Sequence, residues 1–250
     1  MMGIAYGFDT ANYIYNVAAS AKTKFGTGTF YIRYLGPSPA ASVMTSSSGV
    51  SECRAAWDNG AKYLAFISAP TQSRLHGTAA MGTSDAQTFC ANFYSVYRAV
   101  GPLVFQSSGV AHVYLDVEGN TNLSAAYWSG WASYIDGYLV PGWGYPLFPG
   151  MYCNPNSSTT NCSAVAASGV YCFSVWSNHP EPCTACGKFG SVSWGPYNCT
   201  QGYPTLVWQM AEQGGCQTTC ARGSYPNVDV DMTNPSETEQ SDMMYLQARP

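Results

Sequence analysis

Apolar and polar positions along the 250-residue chain fall into short strand-like runs separated by amphipathic or Ala-rich segments, the pattern of successive βα units. The spacing predicts strands over Ile4–Asp9, Phe30–Leu35, Lys62–Ser68, Ala111–Val117, Leu147–Cys153, Val170–Trp176, Thr205–Met210 and Val228–Met232. Between them it predicts helices over Tyr13–Lys24, from a cap at Ser51 to Asn59, from Ser84 or Asp85 to about Val100, over Leu123–Leu139 and over Asn161–Ala167. Gly60 and the Gly101-Pro102 pair supply stop signals. Eight strands in a chain of this size match a closed (β/α)8 barrel. Neither a repeat nor a linker interrupts it, so one domain is expected over 1–250. The second half departs from the pattern: stretches between Ser177 and Pro204 and between Glu212 and Pro226 are rich in Cys, Gly and Pro or lack a helical period. The expected fold is therefore α/β, a modified (β/α)8 TIM-type barrel with disulfide-pinned loops in its C-terminal half.

The fourth predicted strand, His112-Val113-Tyr114-Leu115-Asp116-Val117-Glu118, carries the sharpest chemical signal. Successive strand residues face opposite ways, so Val113, Leu115 and Val117 form an apolar face suited to packing under helices. His112, Tyr114, Asp116 and Glu118 share the other face, the lumen in a parallel barrel. The two carboxylates fall at the strand's C-terminal end, where barrel enzymes place their active sites. Two residues apart, they sit roughly 6.5–7 Å from one another along the strand. Their pKa values should separate, leaving one a protonated acid and the other ionised, as glycosidic bond cleavage requires.

Other strand ends contribute similar groups. Asp9 closes the first strand, and Asp229 and Asp231 alternate with Val228 and Val230 in the last. Acidic residues recurring at the ends of strands one, four and eight are hard to explain as packing, because charge in a barrel mouth costs stability. Arg33 shares a face with Tyr31 and would either hold a carboxylate inside the barrel or serve a buried structural ion pair. Tyr152, Trp176, Trp208 and Gln209 lie at or near strand ends and complete the candidate substrate-binding set with Arg33 and Asp229.

Composition narrows the setting. Aromatic residues make up 14% and charged residues only 10%, against roughly a quarter charged in an average globular protein; tyrosine and tryptophan faces suit sugar contact as well as cores. With a net charge of −4 and no basic run, nucleic acid is not an expected partner. No apolar stretch reaches the roughly 20 residues of a membrane-spanning helix. The ten cysteines point to disulfides and an oxidising compartment. The rival reading is zinc at Cys183-x-x-Cys186, which lacks a second Cys-x-x-Cys or paired histidines. Met1-Met2-Gly3 leads straight into an apolar strand, which reads as a mature secreted chain. There is no Gly-x-Ser-x-Gly elbow, Walker loop or His-Glu-x-x-His. A divalent ion on Asp116, Glu118 and Asp231 is conceivable, but the reading assigns no metal and no cofactor.

Taken in order, Gly7-Phe8-Asp9, Tyr31-Ile32-Arg33-Tyr34-Leu35, Tyr114-Leu115-Asp116-Val117-Glu118, Gly150-Met151-Tyr152, Val207-Trp208-Gln209 and Val228-Asp229-Val230-Asp231 resemble the glycoside hydrolase family 25 lysozymes. They are still more similar to a related glycoside hydrolase-like domain family of unknown function, in which an Arg-Tyr strand follows an Asp-ended first strand. The resemblance implies a groove at the C-terminal barrel face. There Glu118 is the general acid, Asp116 orients substrate or stabilises positive charge at the sugar, Asp9 and Asp231 are further acids of the cleft with Asp229 beside them, and Tyr152 is a wall or hydrogen-bond donor. It also implies the muramic acid to glucosamine linkage of peptidoglycan as leading substrate. The ten cysteines and the 177–204 stretch lie outside that pattern. The expectation is a secreted, monomeric glycoside hydrolase acting on a cell-wall polysaccharide. The alternative is a catalytically silent barrel that binds glycans or the cell envelope.

Overall fold

The computed structural model describes residues 4–37, 42–101, 111–118, 122–142, 144, 146–156, 160–178, 189–190, 193–211, 227–236 and 243–246. Eight strands close into a barrel: β1 (Tyr6–Thr10), β2 (Phe30–Tyr34), β3 (Tyr63–Ser68), β4 (Ala111–Val117), β5 (Leu147–Cys153), β6 (Ser174–Asn178), β7 (Thr205–Ala211) and β8 (Asp229–Thr233). Helices follow each of the first five: α1 (Ile14–Phe25), α2 (Ser46–Asp58), α3 (Gln72–Leu75) with α4 (Ala79–Val100), α5 (Ala125–Asp136) and α6 (Asn161–Ser168). No helix is found among the described residues after β6. None of the described helices is long and apolar enough to cross a membrane.

The barrel is mixed, which corrects the all-parallel expectation. Strands β1 to β7 run parallel, but β8 runs antiparallel to both β7 and β1. Hydrophobic alternation carries no information on strand direction, so the sequence pattern is silent here. A short ninth strand, β9 (Met244–Tyr245), was not expected; it pairs antiparallel with Tyr63 and Leu64 at the start of β3.

Strand alternation divides the interior into two cores. Outward side chains such as Phe8, Tyr31, Phe66, Val113, Leu115, Met151 and Trp208 pack under the helices. Inward side chains, among them Phe30, Ile32, Ala65, Ile67, Tyr114, Trp176 and Val207, fill the lumen. Gly7 is needed where β1 passes the Phe30 ring, because an added Cβ would lie 2.4 Å from it. In α4 the buried residues recur as Ala86, Phe89, Cys90, Phe93, Val96, Tyr97 and Val100, a single helical stripe. The α4–α5 crossing is closer still: a Cβ on Gly130 would sit 1.9 Å from the Ala79 carbonyl oxygen.

Two helices start earlier than their apolar periodicity suggests, because their first turns are polar. Thr45 caps α2 in a reciprocal capping box with Ser48, and Thr78 caps α4. Helix α1 has no side-chain cap of its own. Instead the Ile14 amide donates to Glu52 Oε2 at 3.1 Å, placing a carboxylate at the positive end of the helix.

That carboxylate belongs to the buried ion pair Arg33–Glu52, whose Nε–Oε2 distance is 2.7 Å and whose side chains are fully buried. Arg33 thus faces outward toward α2, not into the lumen, and its guanidinium also donates to the carbonyls of Thr10 and Ser42. The placement of Arg33 as a substrate contact is corrected accordingly. Both faces of β2 are buried, so alternation there did not reveal which face looked inward.

The cysteines also differ from the even disulfide framework expected. Among the described residues one bridge forms, Cys162–Cys199, tying the first turn of α6 to the chain ahead of β7. Cys53, Cys90, Cys153 and Cys172 are buried free thiols, and burial raises the pKa of each, to about 12 for Cys90 and Cys172. They act as small apolar side chains. Cys183, Cys186, Cys216, Cys220 and the Glu212–Pro226 stretch lie outside the described residues.

Replacing Glu52 by Ala strands the Arg33 charge in a dry interface and uncaps α1. Loss of about 3–5 kcal/mol is expected, measured by urea unfolding; a loss under about 1 kcal/mol contradicts this account of the pair.

Candidate active site

The C-terminal ends of the parallel strands define one rim of the barrel, and five carboxylates gather there. Asp9 ends β1 and faces Asp229 across the β1–β8 pairing, with Gly7 opposite Asp231. Because β8 is antiparallel, its acids come at its beginning, which is the same rim. Asp229 therefore lies at the mouth and Asp231 one pleat deeper. Asp116 and Glu118 rise from β4, Asp116 buried and Glu118 exposed.

A hydrogen-bond chain crosses the mouth. The Tyr152 hydroxyl lies 2.8 Å from Glu118 Oε1 and 3.0 Å from Gln209 Oε1. The Gln209 amide then donates to Asp9 Oδ2 at 3.0 Å and to Asp229 Oδ2 at 3.2 Å. Asn178 donates to the Tyr152 hydroxyl at 2.7 Å and to Glu118 Oε1 at 3.3 Å. Trp176 donates its indole N–H to Asp231 Oδ1 at 3.0 Å, with its ring 4.1 Å from that of Tyr152. Behind Glu118, the Gln72 amide donates to its carbonyl oxygen at 3.2 Å.

Burial and mutual repulsion dominate the electrostatics. Asp9 is held well above the usual carboxylate range, first by burial and then by the charges of Asp231 and Asp229. Asp231 is raised by burial and by Asp229. Asp116 is raised by burial and by the charge of Glu118, an effect opposed by a hydrogen bond from the Glu118 amide. Asp116 Oδ1 and Asp231 Oδ2 are buried without an amide, indole or hydroxyl donor among the described residues, and the Asp9 and Asp231 carboxyls lie within hydrogen-bond reach of each other. Tyr34 and Tyr152 are both raised, by burial and then by the surrounding carboxylates, so both hydroxyls stay protonated as donors. Deeper in the lumen His112 makes a 2.6 Å contact from Nδ1 to Ser174 Oγ, and burial lowers its pKa to about 4. It stands apart from the acids and stays neutral.

Eight of the ten sequence-derived candidates meet at this rim: Asp9, Asp116, Glu118, Tyr152, Trp176, Gln209, Asp229 and Asp231. Two do not. Arg33 faces α2, and Trp208 points outward into the core, its ring edge-on to Trp194 at 6.1 Å. Val207 and Gln209 face inward, so Trp208 between them must face out. Sequence reading missed Tyr34, Asn178 and Gln72. Asn178 shares the parity of Trp176, and ending β6 two residues later would have found it. Tyr34 shares the parity of Phe30 and Ile32. Among the described residues no group of three or more His, Cys, Asp or Glu side chains has the geometry to hold a metal ion.

Two solved structures share this architecture. An uncharacterized protein of B. stearothermophilus aligns with a TM-score of 0.66 at 20% identity, covering 96% of this chain and 100% of its own. SleM, a spore cortex lytic enzyme of Clostridium perfringens, aligns with a TM-score of 0.53 at 14% identity, covering 92% of this chain and 67% of its own. At these identities the likeness is one of fold. No family model matches the chain, and no curated protein matches it.

The raised carboxyls make a signed prediction. Their folded-state pKa values lie above the unfolded value of about 3.9. The stability they contribute is thus complete below about pH 4 and is lost as pH rises through the folded values. Asp231→Asn keeps an acceptor for Trp176 and removes one buried ionisable carboxyl. It should be more stable than wild type at pH 7, with the gap closing toward pH 4. His112, depressed to about 4, pulls the other way between about 6.5 and 4 but acts equally in both proteins. Denaturant unfolding across this range checks it; a gap that widens toward pH 4 refutes the assignment.

Proposed function

We propose that this protein is a secreted glycoside hydrolase that cleaves a cell-wall polysaccharide, with peptidoglycan the leading substrate. The observation that carries the reading is the hydrogen-bonded array from Glu118 through Tyr152 and Gln209 to Asp9 and Asp229 at the open end of the barrel. A cleft lined by acids and aromatic faces suits a neutral or cationic sugar at the transition state. SleM is a spore cortex lytic enzyme on the same fold, which supports the substrate class.

Accessibility separates the roles of the two carboxyls on β4. Glu118 is exposed, whereas Asp116 is buried behind it, so a leaving-group oxygen can reach Glu118. In this reading Glu118 protonates the glycosidic oxygen as the bond from the anomeric carbon breaks. Asp116 orients the substrate, and the acids of β1 and β8 flank the anomeric centre, where positive charge develops on the sugar ring. A water molecule completes hydrolysis, returning a proton to the enzyme. Tyr152 holds the Glu118 carboxyl in line, steadied by Asn178.

Glu118→Gln should lower turnover by about 10²–10⁴-fold, the usual contribution of a positioned general acid, with little change in thermal midpoint or glycan retention. Mass spectrometry of products from peptidoglycan and a panel of plant, fungal and bacterial polysaccharides reads this directly. A fully active Glu118→Gln protein would sink the assignment. Retention of a glycan on pull-down with no product from the wild type would favour the silent, glycan-binding barrel.

A further inference from the structure

Outside the acid cluster, the starts of α1 and α2 frame a second hollow on the same rim. The helices follow β1 and β2, which end in Thr10 and Tyr34. Tyr13 and Tyr15 stack with ring centroids 5.1 Å apart and planes within 10°, and Tyr15 is 46% exposed. Facing them are Thr45, Ser47, Ser48 and Ser51, and the shallow, open hollow between them measures about 390 Å³. That volume lies within the range of about 300–1,000 Å³ typical of small-molecule sites.

The chemistry of the lining is selective. All six side chains are neutral; two offer flat aromatic faces and four carry hydroxyls, the proton of Ser48 being committed to Glu52. An anion finds no cation in this lining and a cation finds no carboxylate. A pyranose fits both elements: its C–H face lies on a tyrosine ring, and its hydroxyl or acetamido groups meet the Ser and Thr side chains. The hollow is also held in place from beneath. The Arg33 guanidinium lies 5.9 Å from the Tyr13 ring centroid. Its partner Glu52 takes the Ser48 hydroxyl at 2.9 Å and the Ile14 amide at 3.1 Å. The charge of each is spent on the other, so the pair fixes the two helix starts without charging the lining.

We infer that the Tyr13–Tyr15 hollow is a sugar-binding subsite, which holds a neutral hexose or N-acetylhexosamine unit of a glycan chain away from the bond that is cut. This rests on the reading of the rim as a glycan cleft, and its test needs no turnover. In a Glu118→Gln parent, binding of chitohexaose is measured by titration calorimetry and binding of insoluble peptidoglycan by depletion. Tyr15→Ala is compared with Tyr15→Phe. Tyr15→Ala should weaken binding of at least one of these glycans about tenfold, the scale of one lost stacking contact. Tyr15→Phe, which keeps the ring, should remain within about twofold of the parent. Equal binding by all three proteins overturns the subsite, as does failure of the parent to bind either glycan. Binding that depends on Tyr15 in a protein whose wild type cleaves nothing would uphold the subsite while removing the hydrolase reading. Cleavage by the wild type with binding indifferent to Tyr15 would do the reverse.

Discussion

Repulsion among Asp9, Asp116, Glu118, Asp229 and Asp231 within a largely dry barrel rim is the constraint that the surrounding structure has to meet. Charge taken out of water is costly, and like charges at close range add to the cost. Among the described residues no Lys or Arg side chain reaches this rim: Arg33 is turned outward to Glu52, and Arg74 pairs with Asp85 between α3 and α4. Among those residues the compensation is protons and neutral donors. Burial and neighbouring charge keep protons on Asp9, Asp116 and Asp231 well above their ordinary range. Trp176, Gln209 and Tyr152 supply the N–H and O–H groups. The barrel tolerates such a site because its stability comes from elsewhere, in the two apolar cores on either side of the sheet.

The outward turn of Arg33 has consequences at both ends of its ion pair. Had it faced the lumen, it would have neutralised one of the acids and lowered that acid's pKa. Placed outside, it holds the Thr10 carbonyl immediately after Asp9 and anchors Glu52, which in turn caps α1 and receives Ser48 from α2. One buried pair thereby fixes the end of β1, the entry to α1 and the first turn of α2. Those are the segments that frame the acidic mouth on one side. Strand parity alone separates the two settings: of the adjacent residues Arg33 and Tyr34, the first faces α2 and the second the acidic rim.

Much of this was legible in the sequence, for reasons specific to each element. β4 was readable because one face is aliphatic and the other carries His112, Tyr114 and Asp116, so alternation and polarity agree. β2 and β7 were not readable to the same depth. Both faces of each are buried, and Arg33 and Trp208 look equally suited to either. The direction of β8 leaves no trace in a period-two pattern, yet it decides that Asp229 lies above Asp231. The early starts of α2 and α4 hide in polar first turns, whose signal is the Thr45 and Thr78 caps rather than an apolar stripe. The cysteine count suggested a general disulfide framework. Four of these residues instead sit in the core as thiols, where size and polarity, not redox chemistry, account for their placement.

Hydrogen-bond counting at Tyr152 carries the argument one step further. Its hydroxyl has a single proton and accepts from Asn178. Two acceptor oxygens, Glu118 Oε1 and Gln209 Oε1, lie within 3.0 Å of it. Gln209 cannot reverse its amide, since its NH2 is committed to Asp9 and Asp229. Tyr152 can therefore satisfy only one of the two oxygens by donation. Asn178 meets part of the demand, because its amide also donates to Glu118 Oε1, at 3.3 Å. The Tyr152 hydroxyl can rotate its single proton toward either oxygen. The array can thus shift a hydrogen bond between Glu118 and Gln209 with no heavy atom required to move.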